Sequence, residues 1–254
     1  MCILSFYKPG VTPDLAALAT GAEANPHGHG YAVVADSRII IGHSLDADRV
    51  IEEFAAVRAR FPDTPALFHS RFATAGLLDI NNCHPFFVGE DDRTVLAHNG
   101  ILPATMQPRL GDPRSDTRIA AEDFLPREPF GPLDSWTGRD GLEAWLRTDK
   151  IVLLTVDPAY RHTAYVFNEH LGHYSDDGVW YSNASYRWAS WLPDEEDEEC
   201  CCWCGEWDPE RPGPHCIYCG ICQDCGSWFP HCECAELDGR ERYADLLARA
   251  DDAA

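Results

Sequence analysis

Short apolar runs of four to seven residues punctuate the first three quarters of the chain. They are CILSF at 2–6, YAVVA at 31–35, IIIG at 39–42, ALFHS at 66–70, TVLAH at 94–98, KIVLLTV at 150–156, TAYVF at 163–167 and VWYS at 179–182. Their length and their β-branched and aromatic content predict strands. Between them lie stretches with helical spacing: DADRVIEEFAAVRARF at 46–61, DTRIAAEDFL at 116–125 and GRDGLEAWLR at 138–147. In the first, Val50, Ile51, Phe54, Val57 and Phe61 recur at intervals of three or four, so one face is apolar. Strands outnumber helices and do not alternate with them, which predicts an α+β fold with antiparallel sheets and not a doubly wound parallel one.

The acidic run DEEDEE at 194–199 divides two compositions and reads as a solvated linker. It separates an expected domain at 1–193 from a cysteine-rich segment at 200–235, after which 236–254 could form a short helix or tail. The 254 residues carry 42 acidic and 20 basic side chains, a net charge of −22, the wrong sign for gripping nucleic acid or an anionic membrane. No apolar run approaches the 18 or so residues of a membrane span, and no signal-peptide pattern opens the chain, so a soluble cytoplasmic protein is expected.

Four polar islands interrupt the strand ends of the first segment. They are NPHGHG at 25–30, HSRFATAG at 69–76 with NNCHPF at 81–86, HNG at 98–100, and SDT at 115–117. Singly, each reads as a turn or a satisfied core histidine. Cys2 adds a further possibility, because a small side chain at position 2 permits removal of Met1, which would leave a thiol and a free α-amine on one residue. The α-amine, with a reference pKa near 8, can take a proton from a thiol at about 8.5 without a histidine.

Cysteine at position 2 followed by H-x-R-x-A-T-x-G, N-x-H-P-F, H-N-G and S-D-T, in this order, resembles the class II glutamine amidotransferase domain of the N-terminal nucleophile hydrolases. The resemblance runs over about residues 2–190 and includes YSNAS at 181–185. It implies a four-layer αββα sandwich in which Cys2 attacks the side-chain amide of glutamine, Asn99 and Gly100 supply the oxyanion donors, and ammonia leaves. It further implies that Arg71 and Thr74 hold the substrate carboxylate, by the planar fork that lysine lacks, and that Asp116 holds the ammonium. His69, His84 and His98 are expected to serve as structural hydrogen-bonding groups. Two departures from the family pattern fall at the expected pocket rim, Arg118 after S-D-T and NPHGHG for a more usual N-x-D-G-W-G.

Of the 12 cysteines, ten crowd between Cys200 and Cys234. Cys201 with Cys204, Cys216 with Cys219, and Cys222 with Cys225 form C-x-x-C-G knuckles, and Cys232 with Cys234 closes the series. Eight thiolates fill two tetrahedral zinc sites, so a small structural module holding about two zinc ions is expected, similar to zinc-ribbon and RING-like modules. Cys200, Cys202, His215 and His231 are spare ligands. From Asp194 onward 17 acidic and 4 basic residues give −13, which favours docking to protein over phosphate. Too few residues follow the linker for a synthetase, so the ammonia acceptor is expected on a separate chain. The competing readings are a γ-glutamyl amide hydrolase acting on a larger conjugate, and a non-catalytic zinc-module adaptor.

Overall fold

The computed structural model describes residues 2–74, 76–190, 215, 216 and 222. The chain divides into two compact units, Met1–Tyr186 and Arg187–Ala254. The expected boundary at 193, the acidic linker at 194–199 and the terminal segment at 236–254 lie outside the described residues.

The first unit is α+β with two antiparallel sheets. In chain order its elements are β1 (Ile3–Tyr7), α1 (Leu15–Ala24), β2 (His29–Ala35), β3 (Arg38–Ser44), α2 (Ala47–Arg60), β4 (Ala66–Ser70), β5 (Phe86–Val88), β6 (Asp91–Asn99), α3 (Asp116–Ile119), α4 (Trp136–Leu146), β7 (Lys150–Thr155), β8 (Ala164–Phe167), β9 (His173–Tyr174) and β10 (Trp180–Tyr181). One sheet has six strands in the order β3-β2-β4-β1-β10-β9, the other four in the order β5-β6-β7-β8.

Strand alternation explains the layering. In β1, Ile3 and Tyr7 join α1 and α2 in one apolar cluster with Val33, Phe54 and Phe68. Leu4 and Phe6 point the other way, into a second cluster with Val95, Ala97, Val152 and Leu154 of the other sheet. On the far face of that sheet Leu96, Ile151 and Leu153 pack on Ala120, Leu142 and Leu146. Helices, sheet, sheet and helices therefore follow one another. Because both faces of the inner strands are covered, β1 and β4 are buried at every position. That double burial is why the sequence shows unbroken apolar runs where a half-exposed antiparallel strand would alternate.

The expected helix at 46–61 is α2, which Asp46 caps by accepting from the Arg49 N–H at 3.2 Å. Val50, Ile51 and Phe54 are buried as its spacing requires, and Arg58 is buried too, donating to the carbonyls of Lys8, Val11, Phe61 and Thr64. The stretch at 116–125 keeps α-helical form only to Ile119 and then widens to a π turn over Ala120–Phe124. Helix α1 was not legible, because its buried face consists of Ala17, Leu18, Gly21 and Ala22 and carries little apolar contrast. Among the described residues no helix is long and apolar enough to cross a membrane.

His29, the first residue of β2, is 2% exposed and its Nδ1 lies 2.9 Å from Ser70 Oγ. Burial holds its imidazole down at about 4, against an ordinary 6.5. An unfolded chain takes that proton below pH 6.5 while the folded one refuses it until about 4, so the associated stability is complete above pH 6.5 and lost as pH falls. Between pH 7 and 4, His29→Gln is expected to lose about 2 to 3 kcal/mol less unfolding free energy than the parent protein in urea titrations. Equal losses in the two proteins would refute the assignment.

Candidate active site

The register of the larger sheet assembles the first half of the site. Ile3 of β1 faces Ser70 of β4, so one further step sets Cys2 beside Arg71 at the same sheet end. The Phe72 N–H donates to Cys2 Sγ at 3.3 Å, and the thiol reaches the Phe72 carbonyl at 3.5 Å. The smaller sheet supplies Asn99, the last residue of β6, and Gly100 after it. Helix α3 contributes Asp116 as its first residue, behind the Ser115 cap.

Cys2, Arg71, Thr74, Gly100 and Asp116 line one cleft of about 260 Å³, its open mouth included, together with His84 and His98. Five of the six residues expected from the sequence therefore share a wall, and Asn99 lies directly behind it. Arg71 is 3% and Asp116 6% exposed, whereas Thr74 is exposed at the rim. A guanidinium and a carboxylate thus stand buried in the same cleft as a thiol. Burial pushes the Cys2 thiol above its usual range, opposed in order by the amino terminus, the Phe72 N–H and the Arg71 charge, with Asp116 adding to the rise.

Both buried charges are anchored by backbone. Arg71 Nη1 donates to the Leu77 carbonyl at 3.0 Å. Asp116 Oδ2 accepts from the Leu102 N–H at 2.9 Å, and Oδ1 from the Thr117 N–H at 2.7 Å. Asn99 is committed differently from the expected oxyanion role. Its Nδ2 donates to the Cys2 carbonyl at 2.5 Å and to Ser182 Oγ at 2.6 Å, which uses both amide hydrogens. An oxyanion beside Cys2 Sγ would have to draw one of them away.

The histidines form a buried scaffold, as expected of structural groups. The rings of His69 and His84 stack at 4.0 Å between centroids, and His69 Nε2 meets the His98 carbonyl at 3.0 Å. A carbonyl only accepts, so that nitrogen carries the proton. The His98 N–H in turn points at His84 Nδ1 at 3.2 Å, which leaves the His84 proton on Nε2. Burial holds both rings well below the usual histidine range.

Further participants come from stretches whose roles the sequence left unassigned. Asn183 Nδ2 donates to the Cys2 carbonyl at 2.8 Å, and Ser182 Oγ accepts from the Leu4 N–H at 2.9 Å, so YSNAS pins the backbone of Cys2 and β1. The departure NPHGHG braces the other side. His27 Nδ1 accepts from the Ala73 N–H at 2.9 Å, while the His27 N–H donates to the Arg71 carbonyl at 2.9 Å and the Arg71 N–H to the Gly28 carbonyl at 2.8 Å. A Cβ on Gly28, at φ +132°, would strike Cys83 Sγ, so only glycine lets the island close on NNCHPF. Arg118 pairs with Glu122 at 2.7 Å, which gives the second departure a partner outside the cleft.

Of the eight cysteines expected to bind zinc, Cys216 and Cys222 lie among the described residues; both are buried, and His215 forms an antiparallel bridge with Cys222. Cys201, Cys204, Cys219, Cys225, Cys232 and Cys234 lie outside them. Among the described residues no group of three or more histidine, cysteine or acidic side chains could hold a metal ion.

A scan against protein-family models and a search of curated proteins each returned no match. Among solved structures, glutamine phosphoribosylpyrophosphate amidotransferase from B. subtilis is similar at 16% identity and a TM-score of 0.45, over 74% of this chain and 43% of that one. A glutamine aminotransferase class-II domain protein from Silicibacter pomeroyi is similar at 16% identity and a TM-score of 0.35, over 71% of this chain and 87% of that one. An allosteric regulatory enzyme of purine biosynthesis matches at 16% identity and 0.42, over 74% and 43%. The chain thus spans less than half the length of the first and third. At this identity and overlap these likenesses do not bear on activity, which is argued below from the residues.

Gly100, at φ +145°, is tested by its neighbour, because a Cβ there would collide with the Asp149 carboxylate. Gly100→Ala combines that collision with a strained backbone and is expected to lower unfolding free energy by about 2 kcal/mol or more. A variant as stable as the parent in chemical denaturation would mean that Asp149 can swing clear.

Proposed function

We propose that the first unit is a glutaminase of the class II amidotransferase type, an N-terminal-cysteine amidohydrolase that releases ammonia from glutamine. The observation that carries this reading is the convergence of the Cys2 thiol, the buried Arg71 guanidinium and the buried Asp116 carboxylate in one cleft. An α-amino acid offers a carboxylate and an ammonium at fixed separation, and a cleft with one buried charge of each sign is their complement. Its side-chain amide then falls to the third group, the sulfur.

Removal of Met1 turns the Cys2 nitrogen into an amine that can hold the thiol proton. The thiolate attacks the amide carbon, and the developing oxyanion takes the Gly100 N–H and one Asn99 hydrogen. The amine returns its proton to the leaving nitrogen, ammonia departs, and water hydrolyses the γ-glutamyl thioester to glutamate. Arg71 with Thr74 binds the α-carboxylate, and Asp116 the α-ammonium. The ammonia acceptor in this proposal is a synthase on a separate chain. The cysteine-rich segment is proposed to hold two structural zinc ions through Cys201, Cys204, Cys216, Cys219, Cys222, Cys225, Cys232 and Cys234 and to serve in docking.

Purified protein is expected to lack Met1 by intact mass and to release ammonia from free glutamine. Cys2→Ala should lower that rate about 1000-fold or more, and Arg71→Lys should raise the glutamine KM about tenfold with a smaller change in kcat. Activity on a γ-glutamyl conjugate but not on glutamine would replace this reading with the conjugate hydrolase. Retention of Met1 together with no turnover would leave the adaptor.

For the tail, metal analysis of protein purified without chelator and without oxygen should find about two zinc ions per chain. Finding none removes the zinc assignment and leaves the glutaminase reading intact.

A further inference from the structure

Asp149 belongs to no motif, yet it lies against the turn that carries Asn99 and Gly100. Asn99 of β6 faces Lys150 of β7, so the next pair along the ladder is Gly100 with Asp149. The carboxylate occupies the space that a Gly100 Cβ would need, and it lies 3.3 Å from His98 Nε2 through Oδ2. Its own backbone is held in an unusual turn. Arg147 has φ +57°, and Asn168 Nδ2 clasps the turn by donating to the Arg147 carbonyl at 3.0 Å and the Asp149 carbonyl at 2.7 Å. Positive φ at a non-glycine residue is a local expense that surrounding bonds must hold in place.

His98 joins this carboxylate to the cleft. Its Nδ1 lies 2.9 Å from Thr117 Oγ1, and the same hydroxyl lies 3.3 Å from Asp116 Oδ1. Thr117 has one hydroxyl hydrogen and therefore two exclusive choices. If His98 carries its proton on Nδ1, the ring donates to Thr117 and the hydroxyl hydrogen turns to Asp116. If the proton is on Nε2, Nδ1 becomes an acceptor, the hydroxyl points at it, and Asp116 Oδ1 keeps a lone pair. An ionised carboxylate can only accept, so Asp149 requires the proton on Nε2, and in the neutral ring this is the second arrangement.

We propose that Asp149 is a positioning residue: by holding the His98 proton on Nε2 it turns the Thr117 hydroxyl away from Asp116 and leaves Oδ1 open to the substrate's ammonium. The assignment to an ammonium rests on the glutaminase reading, whereas the tautomer does not. Asp149 does not itself line the cleft; it lies behind Gly100 and His98, which do. Its effect passes through His98 and Thr117 to the binding carboxylate.

The test has a spectroscopic arm and a kinetic arm. In long-range ¹H–¹⁵N spectra of the parent protein, His98 is expected to show a protonated Nε2 and a bare Nδ1. Asp149→Ala should disturb that pattern and raise the glutamine KM about tenfold, the loss of roughly one charged hydrogen bond, with kcat changed less than about threefold. Asp149→Asn, which can still accept from Nε2, should restore both to within about threefold of the parent. Thr117→Val combined with Asp149→Ala should be no worse than the poorer single variant, because both act through one hydroxyl. His98 found with its proton on Nδ1 in the parent protein would overturn the proposal, as would equal KM effects of the Ala and Asn variants. The spectrum requires no turnover, so a parent protein inactive on glutamine would sink the proposed function and leave the tautomer assignment standing.

Discussion

The position of Cys2 depends on the pairing of β1 with β4, and that pairing depends on burial of both faces of β1. Ile3 and Tyr7 face the helices while Leu4 and Phe6 face the second sheet. A slip of one residue against β4 would exchange the two sets and force Tyr7 and Phe6 into spaces shaped for the other. Each misplaced large side chain forfeits about 1.5 to 3 kcal/mol of burial, so the register is strongly specified. The sulfur beside Phe72 and the guanidinium of Arg71 inherit that precision from a purely apolar constraint, one residue beyond the last pair of the ladder.

Polar order is then propagated by backbone groups whose donor and acceptor character cannot change. The His98 carbonyl sets the proton of His69, and the His98 N–H sets that of His84. Held neutral by burial, these rings act as rigid, shaped dipoles between the sheets. A lysine or arginine in their place would bring a charge that nothing there neutralises. On the proposed reading, the islands H-S-R, C-H-P and H-N-G serve the architecture at their histidines and meet the substrate at Arg71, Asn99 and Gly100.

Much of this was legible in the sequence. Strands β4, β6 and β7 announced themselves because a doubly covered strand must be apolar throughout, and α2 because one covered face leaves a helical stripe. The cleft residues were found through motif resemblance, since periodicity says nothing about an arginine at a strand end. What stayed hidden depends on proximity across the fold. Asp149 belongs to no motif, and for Ser182 and Asn183, although YSNAS was singled out, the partners are 83 and 181 positions away, against 51 for Asp149. Two-residue β9 and alanine-lined α1 lack side-chain contrast and take their form from the neighbours they pack on. Nor could spacing reveal that Asn99 has both amide hydrogens engaged.

That engagement separates the two proposed oxyanion donors by kind. The Gly100 N–H is fixed by the backbone, at a φ only glycine tolerates and with a carboxylate filling the space behind it, so it can be aimed without rearrangement. Asn99 spends its hydrogens on Cys2 and Ser182, and the Cys2 carbonyl also accepts from Asn183. Releasing Cys2 from Asn99 would therefore leave that carbonyl still satisfied, so the exchange would not orphan a buried acceptor. Asn183 thereby makes Asn99 available: the second amide on one carbonyl is what allows the first to leave it. On this account the donor pair would be half preorganised and half recruited, with the recruited half released by a bond already duplicated in the resting site.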